Sequence, residues 1–338
     1  MSAAQRPLRP LSPLSPLRAP RQPRRALHGV LLLDKPLGWT SNDALQKAKG
    51  MLRAEKGGHT GTLDPMATGL LPLCFGAATK FSQASLDADK RYRATVQLGQ
   101  ISSTGDAEGE LSEARPVQAD LAAVQAACAA LTGDIEQLPP MHSALKHQGR
   151  ALYEYARAGI TIERAQRSVH IHAIDIVSWQ SPQLVIDVHC SKGTYIRTLA
   201  GDLGASLGCG GYLSALRRTG SGPLDVAHAI TIEALHALAE AEREALLLPP
   251  DRLLATWPAV CLPDDEAGRF LCGLRRRVTL ADAPAVRVYR LGPVPAEPPD
   301  GLEHPKPAAR AFLGSAHITA GELIPDRLLS PLEVQASP

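Results

Sequence analysis

The chain has 338 residues, 44% of them hydrophobic and 21% charged, which excludes a wholly disordered or fibrous protein and suggests two domains. The formal net charge is only +2, so a polyanionic partner has to be held by local basic patches rather than by overall charge. No apolar run approaches the roughly 18 residues of a membrane helix, and the six cysteines are scattered without a C-x-x-C pair, as expected of core thiols in a reduced, cytoplasmic protein.

Residues 1–27 carry many Pro, Leu and Ser residues, six arginines (Arg6, Arg9, Arg18, Arg21, Arg24 and Arg25) and no acid. Such a tract cannot build a core and is read as a disordered extension weakly attracted to RNA; its prolines argue against the amphipathic helix of a transit peptide. The apolar run Gly29 to Leu33 predicts a buried strand, Asp34-Lys35-Pro36 a turn, and Thr40-Ser41-Asn42-Asp43 a helix start, with Ala44, Leu45, Ala48, Met51 and Leu52 on one helical face. A glycine-rich loop at Gly57 to Gly61 leads through Leu63-Asp64-Pro65 to a strand from Leu70 to Phe75. Tyr92, Ala94, Val96 and Leu98 alternate with Arg91, Arg93, Thr95 and Gln97, the pattern of a half-buried strand with its basic residues on one face.

Leu121, Val124, Cys128 and Leu131 predict a helix ending near Gly133. A polar, proline-bearing loop follows from Gln137 to Gly149, and Ala151 to Ala158 reads as a short helix capped by Gly159. Alternation predicts strands over Val169 to Trp179 and Leu184 to Cys190; Ile196, Leu199, Leu203 and Leu207 have helical spacing, and Thr231 is placed to cap a last helix through Leu247. Pro249-Pro250 marks a domain boundary, beyond which short strand-like pieces are broken by prolines. The order of elements predicts a mixed α/β protein.

Within this frame, Gly58 to Pro72 (GHTGTLDPMATGLLP) is the most informative stretch. Flanking glycines let backbone approach a ligand, and an aspartate before a proline is held in a non-helical conformation from which it can face that opening. Spacing alone favours a strand connection in which Asp64 makes an Asx turn. Tyr92 alone reads as cross-strand packing and Arg197 as a helix surface charge. His170 and His172 share a strand face, but with no third ligand nearby in sequence no metal is assigned.

The same stretch resembles, almost residue for residue, the signature of the bacterial tRNA pseudouridine-55 synthase family, the TruB type. The resemblance continues in order through GVLLLDKPLGWTS (Gly29 to Ser41), DKRYRATVQLG (Asp89 to Gly99), QLPPMHSALKHQGRALYEYARAG (Gln137 to Gly159), SKGTYIRTL (Ser191 to Leu199) and LSALRRTGSGP (Leu213 to Pro223). It is dense from about residue 28 to 250.

The resemblance implies a pseudouridine synthase catalytic domain with a curved mixed sheet over residues 28–249, carrying an RNA-binding insertion at 137–167. A small PUA-like β-barrel is implied over 250–338; the Pro-rich stretch Pro293 to Pro307 departs from the family and is read as a disordered insert. Implied roles are Asp64 as the catalytic aspartate, Tyr92 stacked on the target base, Arg197 as the ion-pair partner of Asp64, and Tyr195 as a hydrogen-bonding support. Leu216 is expected to line the base pocket and His59 to fill the space of the flipped uridine; Lys35 and Pro36 resemble a structural pair near the site. Lys146, Arg150 and Arg157, interleaved with Tyr153 and Tyr155, are candidates for RNA contact, and His142 departs from the family's usual aromatic.

The implied reaction is isomerisation of a uridine in the T arm of tRNA, with no cofactor, no metal, no membrane and no protein partner, by a monomer. Two rivals stand beside it. One is a paralogue working inside a guide-RNA particle, whose long charged extensions are not seen here; the other is a catalytically silent RNA-binding module, against which the Asp64, Tyr92 and Arg197 set argues.

Overall fold

In the computed structural model the described residues are 23–143, 145–292 and 310–337. Most of the Pro/Arg-rich tract and the proline-rich stretch Pro293 to Pro307 therefore lie outside the described residues. No described helix is long and apolar enough to cross a membrane.

The first strand, β1 (Gly29–Lys35), leads to α1 (Ser41–Leu52), β2 (Gly57–His59), β3 (Ala67–Phe75), α2 (Ser82–Asp87) and β4 (Lys90–Leu98). Next come α3 (Leu121–Ala130), β5 (Gly133–Gln137), the two-residue strands β6 (Lys146–His147) and β7 (Arg150–Ala151), and α4 (Leu152–Arg157). Two long strands, β8 (Arg167–Gln180) and β9 (Gln183–Cys190), precede α5 (Ile196–Ser206) and β10 (Gly211–Ser221). The short pieces β11 (Leu224–Asp225), β12 (Ile230–Thr231), α6 (Ile232–Ala237) and α7 (Glu240–Ala245) close this part.

These strands form one mixed ten-stranded sheet in the order β12-β1-β3-β10-β4-β9-β8-β5, with β2 on β3 and β11 on β10. Bringing β10 back between β3 and β4 is what assembles the site, because β3 follows the Asp64 loop and β4 carries Tyr92. The parallel β3/β10 contact is close: a Cβ on Gly69, whose φ is +98°, would lie 2.3 Å from the carbonyl oxygen of Arg218. Only glycine fits there.

Local sequence accounts for most element ends. Thr40 caps α1 in a reciprocal box with Asp43, and Asp120 caps α3. The short helix after the basic hairpin ends just before Gly159, which has φ +72°. Thr231 caps a helix as expected, but the helix predicted through Leu247 is two, with Leu238 extended between them. Arg243 fills the break, donating to the carbonyls of Leu235 and His236 and of Met51. A guanidinium thus satisfies the acceptors that the missing turn would have used.

Of the described residues before β1, Arg25 and Leu27 make contacts with the rest of the chain. Arg25 pairs with Glu240 and Glu244, and Leu27 is buried in the main core. After Pro250, β13 (Ala259–Leu262), α8 (Asp264–Leu271), β14 (Arg276–Arg277), β15 (Ala283–Leu291), β16 (Arg310–Thr319), β17 (Glu322–Leu328) and α9 (Pro331–Ala336) form a second unit. Its five strands run β13-β15-β16-β17-β14, and no ladder joins the two end strands among the described residues. Tyr289, Phe312 and Leu329 of this unit share a core with Val30, Leu32, Leu70 and Phe81.

Candidate active site

Asp64 lies on the loop between β2 and β3, and three anchors fix that loop. Ser41, at the start of α1, accepts from the Leu63 amide at 2.8 Å and donates to the Leu63 carbonyl at 3.0 Å. Lys35, wholly buried, donates to the carbonyls of Pro36 and Trp39 and reaches that of Pro65 at 3.5 Å, while the Gly38 amide donates to the same Pro65 oxygen. Arg218, also buried at 1% exposure, donates to the carbonyls of Leu70 and Gly61 on either side of the loop. Burial lowers the Lys35 ammonium to about 8, against the opposing pull of Asp64.

Arg197 sits in the first turn of α5, 7% exposed, and is not a surface charge. Its guanidinium lies 3.1 Å from Oδ2 of Asp64 and 3.4 Å from Oδ2 of buried Asp106, and donates to the carbonyls of Thr104 and His142. Asp106 is held in turn by the Thr104 hydroxyl and the Glu108 amide. Burial pushes the Asp64 carboxyl above its ordinary value; Arg197 opposes this rise, Asp106 adds to it and Lys35 opposes it. The ion pair expected between Arg197 and Asp64 is therefore half of the balance, since enclosure and a second carboxylate outweigh the cations.

Tyr92, Tyr195, Leu216 and Arg218 line one cavity of about 360 Å³ with Asp64 and Arg197. β4 delivers Tyr92, and burial raises its phenol above the ordinary value against the pull of Arg218. Leu216 reaches the cavity from β10, paired with Ala67 and Ala94. Tyr195 precedes α5, and the side chain of Gln137 clamps its backbone, accepting from the amide and donating to the carbonyl. His59 does not line this cavity. It lines the adjoining one, about 530 Å³, together with Asp64, Arg197, Tyr153 and Arg157, and its Nδ1 is buried without a partner among the described residues.

Of the basic insertion, Tyr153 and Arg157 line the adjoining cavity. Arg150 pairs with Glu154 at 3.0 Å and lies over the ring of Tyr155, and Arg157 lies over Tyr153. Lys146 is exposed. His142 contributes its backbone oxygen to Arg197, so that contact does not depend on which side chain occupies the position.

Sequence reasoning singled out neither Asp106, Ser41, Gln137 nor Arg218 as site residues. Arg218 carried a signal in the Arg-Arg pair beside Leu216; Asp106 sits in a polar turn without periodicity and carried none. The histidine pair was set aside for want of a third ligand, and strand pairing supplies neighbours: Asp89 and His189 stand beside His172.

Comparison with known proteins extends beyond the site. Residues 49–196 match the model of the TruB family pseudouridylate synthase N-terminal domain, and residues 197–255 that of a tRNA pseudouridylate synthase B C-terminal domain. The chain is 56% identical over 317 residues to a tRNA pseudouridine synthase B of Verminephrobacter eiseniae, covering 92% of this chain and 91% of the relative. It is 54% identical over 311 residues to one from Ralstonia pickettii, covering 90% and 95%. Among solved structures, a Cbf5-Nop10-Gar1 complex contains a similar fold at TM-score 0.68 and 23% identity, over 90% of this chain and 86% of that one.

Proposed function

Because the chain belongs to the TruB family of pseudouridylate synthases, we propose that it isomerises the uridine at position 55 in the T loop of tRNA to pseudouridine, with Asp64 as its catalytic carboxylate. The observation that carries the reading is the Asp64 carboxylate held against Arg197 in a cavity walled by Tyr92, Tyr195 and Leu216.

The reaction breaks the bond from C1′ to N1 of uracil, turns the base and forms a bond from C1′ to C5; C5 loses a proton and N1 ends protonated. No group is lost and no electrons leave, so no redox partner is needed. One carboxylate can serve as nucleophile or as stabiliser of a cationic ribose, so the paired carboxylates of glycosidases are not needed. Tyr92 stacks on the base and Leu216 supplies an apolar wall beside it. Tyr195 supports the base through its hydroxyl, and Arg197 orients Asp64. The target must leave its stack before Asp64 can reach it, and His59, in the adjoining cavity, is placed to fill space left behind.

Lys146, Arg150 and Arg157 hold the T-arm backbone, and the unit after Pro250 adds RNA contacts as a PUA-like module. The protein acts as a monomer without a cofactor. Six unpaired thiols support a reduced, cytoplasmic setting. The test is a carbodiimide primer-extension stop on a T-arm stem-loop. Wild type should produce a stop at the target; Asp64→Asn should bind the RNA with near-normal affinity and give none. Turnover by the variant at a comparable rate would remove Asp64 from the mechanism.

A further inference from the structure

Away from the cleft floor, β8, β9 and the residue preceding β4 bring imidazoles and a carboxylate together on the sheet surface. β8 and β9 pair Ile171 with Cys190 and Ala173 with His189, and the register shift between them leaves His172 as the extra residue of a bulge. A bulge re-aims a side chain, and this one turns His172 toward its neighbours: its Nε2 lies 3.0 Å from Oδ2 of Asp89, to which Nε2 of His189 lies at 3.9 Å. The rings of His172 and His189 have centroids 4.5 Å apart, and the three ligand atoms all lie within 4.8 Å of one another. His170 packs edge-on against His172 at 4.7 Å and is held by Asp134 at 2.6 Å.

We propose that Asp89, His172 and His189 bind one divalent transition metal of the zinc class. Two imidazole nitrogens and one carboxylate oxygen suit zinc, cobalt, nickel or copper, whereas magnesium and calcium favour oxygen ligands alone. Bonds of about 2.0–2.2 Å at tetrahedral angles put ligand atoms roughly 3.4 Å apart; the observed 3.0 and 3.9 Å straddle that spacing, and rotation of part-exposed His189 shortens the longest separation. Without a metal, one carboxylate serves two imidazoles.

Three protein ligands leave an open position for water. Occupancy ties the entry of β4 to β8 and β9 close to Lys90, Ser191 and Lys192 on the wall of the 360 Å³ cavity. The site stands independently of the reaction proposed above.

The experiment is titration of the untagged, chelator-treated full chain with Zn²⁺ by calorimetry and with Co²⁺ by visible absorption. One equivalent of Zn²⁺ should bind, unaffected by excess Mg²⁺, and Co²⁺ should give the intense d–d bands of a low-coordinate site. Asp89→Asn and His172→Ala should each weaken Zn²⁺ binding about tenfold or more, with far-ultraviolet dichroism unchanged. His317→Ala, a histidine paired with Asp326 in the second unit, should leave binding as it was. Zn²⁺ binding unchanged in Asp89→Asn and His172→Ala overturns the proposal. So does a parent chain that gives only the weak octahedral Co²⁺ spectrum, a result that does not depend on the folding of any variant.

Discussion

One guanidinium at Arg197 serves two carboxylates and two carbonyls, so its replacement leaves two like charges facing each other as well as removing an attraction. Arg197→Met leaves Asp64 and Asp106 facing each other without their cation. Loss of one partner of a buried ion pair costs about 3–5 kcal/mol, and single-turnover isomerisation should fall about a hundredfold or more, with a smaller change in RNA affinity. Asp64 acts ionised, so activity falls as pH drops through its pKa; removing the opposing cation raises that pKa and moves the acidic limb upward. Asp106→Asn removes a like charge and should move the limb downward even as the rate falls, and Arg197→Lys should recover only part of the wild-type rate because an ammonium lacks the planar fork. Rate-against-pH profiles of the three variants check this; limbs moving together would show that the two carboxylates are not coupled through Arg197. Four of the residues that touch the cavity were legible because their motifs are contiguous: Asp64 in its glycine loop, Tyr92 in its strand, Tyr195 and Arg197 in one nine-residue motif. Asp106 was not, because its ion-pair partner Arg197 lies far along the chain and its own neighbours form an ordinary polar turn.

Strands and helices with clear periodicity fell where alternation or helical spacing put them, as in β4, β9 and α5. What sequence could not give was the return of β10 between β3 and β4, a long-range pairing set by sheet packing rather than by local pattern. The break between α6 and α7 was equally hidden, since it depends on Arg243 reaching back to carbonyls of the preceding helix. The basic insertion shows how an element changes a prediction built on residue type. Each phosphate contact contributes about 0.7–0.9 to the log-log salt slope of binding, yet Arg150 is already engaged by Glu154 and Tyr155. Lys146→Gln and Arg157→Gln should therefore each flatten the slope more than Arg150→Gln, and the triple variant should weaken affinity more than bond breaking. Filter binding across a salt series measures this, and an unchanged slope in the triple variant would place the RNA elsewhere.

At the scale of the whole molecule, the second unit is not a bead on a linker, since its Tyr289 and Phe312 complete a core begun by β1 and β3. The segment just before β1 is joined as well, through Arg25 and Leu27. Removing residues 1–22 leaves every described contact in place, and turnover should stay within a few-fold. Removing residues 1–27 takes away Leu27, whose burial contributes about 1.5–3 kcal/mol, along with the part-exposed ion pairs of Arg25, which contribute less. Thermal unfolding of the two truncations should separate them by that amount; equal midpoints would show that Leu27 contributes nothing to the core.

The loop bearing Asp64 is tied down by Ser41, Lys35 and Arg218 before any substrate arrives. A scaffold so fastened has little left to bend, and the distortion that joins the two molecules falls on the nucleic acid. Unstacking and unpairing a nucleotide takes a few kcal/mol, so a T-arm stem-loop whose tertiary contacts have been weakened by substitution should bind more tightly than the rigid parent, by up to the part of that energy already spent. Equilibrium binding of both RNAs to Asp64→Asn, which stops short of chemistry, reads the difference; tighter binding of the rigid RNA would mean that the enzyme recognises the closed loop and shares in opening it.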